Sequence, residues 1–241
     1  MNHQRPAMSP ASANVTVHVV RFDGLGDQTA WLSDADRQRA AAIRSPTACA
    51  SFVGGRRVLR TLLASRLGCL AAQVPIVESP TGKPHVAGNE IEFSLSRRAP
   101  WCAVALSANC IVGVDVEPVR PFSNMHEVVA QFFPPTAQAA FATAGSKKRL
   151  NLFFRWWTRL EAAAKAAGTE LDTAASSLDG VWLESWEGVP GLAVAVAVKG
   201  AAPAAIDWHF HADCPMEEEL RLVLQKVATK SPQKVSAARK R

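Results

Sequence analysis

Four ionisable side chains have the types and spacing to handle phosphate. Asp115 and Glu117 stand in IVGVDVE at residues 111–117, and Glu161 and Lys165 stand in FFRWWTRLEAAAKAAG at 153–168. On a strand, Gly113, Asp115 and Glu117 point one way and Val112, Val114 and Val116 the other. Two carboxylates then share a face beside a glycine that leaves room for a ligand. Asp is disfavoured in strands, and Pro118 ends the element directly after the second acid. On a helix, Leu150, Phe154, Trp157, Glu161 and Lys165 recur every three or four residues and form one stripe. That stripe is expected to face the core, where an unpaired carboxylate costs roughly several kcal/mol. Magnesium is held by a couple of carboxylates, with waters and substrate phosphates completing its shell. Asp115, Glu117 and Glu161 would suffice. The plainer readings are the solvent face of an amphipathic strand and a Glu–Lys pair that fixes the helix.

These residues need elements to hold them. Val15 to Phe22 reads as a first strand, and Ser33 as the N-cap of a polar helix from about Asp34 to Ile43, closed by Pro46. A stronger helix runs from about Ala48 to Leu67 and stops at Gly68. Arg56 and Arg60 share one of its faces, a solvated surface on the plain reading. A turn at 79–82 leads into Lys83-Pro84. EFSLS (92–96) and WCAVAL (101–106) form a strand pair, followed by the acidic strand. A short helix around Met125 to Phe132, an alanine-rich helix ending near Gly145 and the central helix from about Lys147 come next. Gly180 to Trp186 and Gly191 to Lys199 pair antiparallel, and Ala205 to His211 completes their set. His209 and His211 share a face of that last strand. With Cys214 nearby a metal is conceivable, although strand decoration is the commoner role. Met216 to Val227 reads as a final amphipathic helix.

At 241 residues, 48% hydrophobic and 20% charged, the chain buries a proper core. Lys226, Lys230, Lys234, Arg239, Lys240 and Arg241 equal the whole formal excess of +6, so residues 1–225 are neutral and the basic character belongs to a tail. Nucleic-acid binding through that tail ranks low. Five scattered cysteines without a CxxC pair fit neither a disulfide framework nor a zinc site. The first 13 residues read as a disordered leader without a signal-peptide core, and the apolar run Leu192 to Val198 is too short for a bilayer. The expectation is a cytoplasmic protein without membrane association.

The order GR…LR, GKP, FSLS, GVDVE and W-T-x-x-E-A-x-x-K-A-x-G resembles the 4′-phosphopantetheinyl transferase superfamily, of the surfactin-synthetase-activating type, from about Leu32 to about Gly168. The resemblance implies an α+β fold of two similar lobes, each a small antiparallel sheet packed with a long helix, around a cleft for coenzyme A. The division expected is a leader (1–13), an N-terminal lobe (14–110), a C-terminal lobe with the metal site (111–214), and a helix with a basic tail (215–241). The implied reaction moves the phosphopantetheine arm of coenzyme A to a serine of an acyl or peptidyl carrier protein, with Mg2+, releasing adenosine 3′,5′-bisphosphate. Asp115, Glu117 and Glu161 match the metal-binding acids, and Lys165 the lysine on the pyrophosphate. Arg56, Arg60 and Lys83 match positions on the coenzyme's phosphates, and Ser96 with Arg97 falls in the same group. A further expected role of Glu161 is to help take the serine proton, directly or through water. Matching lobes in one chain make a monomer reasonable. Three positions depart from the family: Arg97 stands for a histidine, Leu160 for a lysine and Ala137 for a glutamate. They leave open an impaired member that binds coenzyme A or a carrier protein in a regulatory role.

Overall fold

The computed structural model describes residues 14–22, 31–79, 82–88, 91–171, 178–200 and 202–212. The leader, the expected final helix, Cys214 and the basic tail lie outside them. The fold is α+β. Its larger sheet runs in the order β4 (Glu92–Arg98), β5 (Trp101–Ser107), β1 (Asn14–Arg21), β9 (Ala205–His211), and a second runs β6 (Val112–Pro118), β8 (Leu192–Lys199), β7 (Val181–Trp186). A two-stranded ribbon, β2 (Ile76–Glu78) with β3 (Pro84–Val86), was not foreseen from the sequence.

Alternation along the strands decides how these sheets stack. Val15, Val17, Val19, Ala103 and Ala105 of the larger sheet meet Val112, Val114, Val116, Val194, Val196 and Val198 of the other, and most of these side chains are wholly buried. The opposite face of the larger sheet carries Val20, Cys102, Val104 and Leu106 against Val58, Leu59, Leu62 and Leu63 of α2 (Pro46–Leu67). Beyond the smaller sheet, Ala195 and Ala197 pack on Ala162 and Ala166 of α5 (Ser146–Ala167). The order is helix, sheet, sheet, helix. Burying a Val or Leu is worth about 1.5–3 kcal/mol each, so the paired valine faces fix the register that places the acids of β6.

Helix ends follow local chemistry. Ser33 caps α1 (Asp34–Ala42), its hydroxyl accepting from Asp36 N, and Ser45 caps α2, where Pro46 takes the first turn. The two 22-residue helices both end on a glycine in the left-handed region, Gly68 and Gly168. The remaining helices, α3 (Met125–Phe132) and α4 (Pro135–Thr143), enclose an aromatic cluster with Phe153 and Phe154 of α5.

One strand differs from expectation. Ala205 to His211 is a strand, but it runs parallel to β1 in the larger sheet instead of joining β7 and β8. The charged stripe of α5 also lies differently. Of its residues Phe154 is buried as expected, while Leu150, Trp157, Glu161 and Lys165 are half-buried, and Phe153, Leu160, Ala162, Ala163 and Ala166 are covered as well.

Candidate active site

Gly113, expected to leave room for a ligand, instead leaves room for α5. A Cβ at this position would lie 1.9 Å from the Ala162 carbonyl oxygen and 2.6 Å from the Ala166 nitrogen. Bare backbone at this point lets β6 lie against the helix, which brings Asp115 to Lys165. The Lys165 Nζ donates to Asp115 Oδ1 at 2.7 Å and to the Val114 carbonyl at 3.2 Å. Ser96 on β4 donates its hydroxyl to the same Asp115 oxygen at 2.7 Å. Glu117 accepts from Arg98 Nε at 2.6 Å.

The second oxygens of both acids, Asp115 Oδ2 and Glu117 Oε2, are buried and have no hydrogen-bond partner. Burial pushes the Glu117 carboxyl above its ordinary range, against the pull of Arg98. Burial also raises Glu161, with Asp115 and Glu117 adding to the rise and Lys165 opposing it. Glu117 and Glu161 therefore sit in a setting that disfavours their ionisation without a cation. Among the described residues no three acidic or metal-ligating side chains stand assembled around one point, because Asp115 turns to Lys165 and Glu117 to Arg98. The unpartnered oxygens and the all-oxygen donor set fit a hard divalent cation.

Glu161 and Lys165 line a cleft of about 920 Å³, together with Lys83, Arg56, Arg97 and Arg39. Lys83 is held at the end of α5, its Nζ donating to the Lys165 carbonyl at 3.3 Å. Opposite, three guanidiniums surround one ring: Arg97 at 5.3 Å, Arg56 at 5.6 Å and Arg39 at 5.7 Å from the Phe52 centroid. Gly55 makes the space for Arg97, since a Cβ there would meet its Cδ at 2.3 Å. Burial, then Arg56 and Arg39, lowers the Arg97 pKa, and burial lowers that of Arg56 despite Asp36. Arg56 also keeps Nη1 buried without a partner. Positive charge crowded this way favours an anion between the guanidiniums.

Arg60 lies elsewhere. Its side chain is 3% exposed. Nε donates to Asp36, Nη1 to the Ala71 and Val74 carbonyls at 3.0 and 2.9 Å, and Nη2 to the Ser33 hydroxyl at 2.8 Å. It ties α1 and the 71–74 turn to α2, and does not line the cleft. Sequence reasoning passed over Arg39, Phe52 and Arg98. Arg39 sits in a polar helix whose pattern marks no face, but Phe52 and Arg56, four apart, carried a readable signal. Leu160 and Ala137, two of the departures from the family, are both buried in the aromatic cluster of α3 to α5.

Known proteins are similar to this chain over the region that carries these acids. Residues 111–213 match the family model described as the 4′-phosphopantetheinyl transferase superfamily. The chain is 29% identical over 204 residues to the 4′-phosphopantetheinyl transferase HetI of Nostoc sp., covering 77% of this chain and 86% of that protein. It is 32% identical over 120 residues to the 4′-phosphopantetheinyl transferase AcpT of Salmonella typhi, covering 49% of this chain and 59% of that one. The matched region holds Asp115, Glu117, Glu161 and Lys165, so residues 111–213 carry the match to the 4′-phosphopantetheinyl transferase superfamily, and the chain is similar to named enzymes of that class.

Proposed function

We propose that the protein transfers the 4′-phosphopantetheine group of coenzyme A to a serine of an acyl or peptidyl carrier protein, releasing adenosine 3′,5′-bisphosphate. The observation carrying this reading is the union, across one cleft, of a buried acid cluster with Lys165 and a set of crowded cations at Lys83, Arg56, Arg97 and Arg39. Coenzyme A brings a diphosphate and a 3′-phosphate, which call for that many cations in a body of zero formal charge. Arg60 is left out of the coenzyme's contacts, and Arg39 takes a place among them.

In the transfer, the carrier serine oxygen forms a bond to the phosphorus bearing the pantetheine arm. The bond from that phosphorus to the bridging oxygen breaks, and its electrons leave with the bisphosphate. Lys165 faces the diphosphate and stabilises charge on its oxygens, where most of the catalysis of phosphoryl transfer lies. Glu161, raised above the usual carboxylate range, accepts the serine proton directly or through one water. Asp115, Glu117 and Glu161 would hold Mg2+, which neutralises charge on the diphosphate when bound. Arg56, Arg97 and Arg39 orient the nucleotide end by its phosphates.

Incubation with coenzyme A, Mg2+ and an apo carrier protein should add the mass of one phosphopantetheine to the carrier, and Asp115→Ala and Glu161→Ala should abolish the gain. No gain across fatty-acid, polyketide and peptidyl carriers would refute the reading.

A further inference from the structure

Three imidazoles lie together, and none of them lines the cleft. β1 and β9 run parallel with His18 opposite His209 and Val20 opposite His211, so all three histidines fall on one face of that pair. The His18 ring stacks on both others, at centroid distances of 4.9 Å to His209 and 5.5 Å to His211. Its Nδ1 faces His211 Nε2 at 3.3 Å. Two nitrogens bound at about 2.05 Å to one ion, at the tetrahedral angle, stand roughly 3.3 Å apart. In the structure one of these nitrogens donates to the other, and an ion would replace the shared proton at a similar spacing.

Their chemistry agrees. His18 is buried, and the neutral imidazole is the form that binds metals. Imidazole nitrogens suit zinc, copper and nickel and are poor ligands for magnesium, which prefers oxygen. Among the described residues no three such side chains are already arranged around an ion. His209 is exposed, and an exposed side chain changes rotamer in picoseconds to nanoseconds.

We propose that His18 and His211, joined by His209 once its ring turns, bind a transition-metal ion of the zinc class that pins β9 to β1. Water fills the fourth position. Arg66, which donates to Thr16 Oγ1 at 3.0 Å beside His18, opposes a cation here and weakens the site. The ion has no part in the transfer reaction and spans the contact between two strands distant in the chain.

The test uses the full chain without a polyhistidine tag, in excess Mg2+ so that the acid cluster is supplied with its own ion. Titration with Co2+ should give the intense visible bands of a tetrahedral site at one ion per chain, displaced by Zn2+, and Zn2+ should raise the melting temperature. H211A and H209A should each weaken Co2+ at least tenfold, R66A should tighten it, and D115A should leave it unchanged. Absence of tetrahedral bands, an H211A or H209A affinity within twofold of the parent, or loss of the bands in D115A would overturn the proposal.

Discussion

Replacing Gly113 with alanine should separate the two halves of the acid site. The new Cβ would start 1.9 Å from the Ala162 carbonyl oxygen, with the Ala166 nitrogen at 2.6 Å. A carbon–oxygen contact normally needs about 3.3 Å, so β6 and α5 must part by roughly 1.4 Å. Both obstructing atoms are backbone, which cannot swing aside as a side chain would. Overpacking of this kind costs about 1–3 kcal/mol, and the upper end is expected here. The same displacement would stretch the Lys165–Asp115 bond, 2.7 Å in the structure, beyond hydrogen-bonding range. A misplacement of about 1 Å at reacting groups can cost on the order of 100-fold in rate. Urea denaturation and the initial rate of carrier modification measure the two effects. The control is Gly145→Ala, where a Cβ meets nothing within 4 Å and the loss should be about 1 kcal/mol or less. A Gly113→Ala protein within about 0.5 kcal/mol of the parent, modifying its carrier within about threefold of the parental rate, would refute the reasoning; both thresholds sit well below the estimates above.

Arg60→Ala removes a buried guanidinium that donates to Asp36, Ser33 and the Ala71 and Val74 carbonyls, leaving Asp36 short of its main counter-charge, so it should cost about 3–5 kcal/mol. Thermal or urea unfolding checks this, and a loss below about 1 kcal/mol, the scale of a surface pair, would contradict the structural role. Arg97→Ala should raise the KM for coenzyme A by about tenfold, the worth of one charge-assisted phosphate contact, with kcat little changed; an effect confined to kcat would place Arg97 at the reacting phosphorus instead. Arg98→Ala frees the Glu117 oxygen that now accepts from its Nε, so calorimetry should show Mn2+ binding several-fold tighter. Weaker binding would mean that the guanidinium helps to assemble the acids.

Much of the fold could be read from periodicity, because alternation in IVGVDVE and the three-and-four spacing through Leu150 to Lys165 reflect faces that must be buried. The limits of β6 and α5 fall within a residue of those expected. Periodicity does not say what covers a face. Gly113 reads as space, yet only the packed structure shows a helix in that space. Arg56 and Arg60 read as equivalent neighbours, although one keeps an unpartnered nitrogen beside the cleft and the other is saturated by Asp36, Ser33 and two carbonyls. Their difference comes from α1 and the 71–74 turn, segments whose placement no local pattern specifies. β9 was readable as a strand, but its partner was not, since a strand with alternating half-buried side chains can extend either sheet.

The pairing of β9 with β1 bears on how the chain reaches this state. His18 and His211 touch across 193 positions, so one flank of β1 gains its partner only after nearly all the intervening polypeptide has been made. Contacts of such separation slow folding, because the loop must close before anything rewards it. During synthesis β5 can already pair with one edge of β1, while the backbone amides and carbonyls on its other edge stay open to any passing strand until β9 has been made.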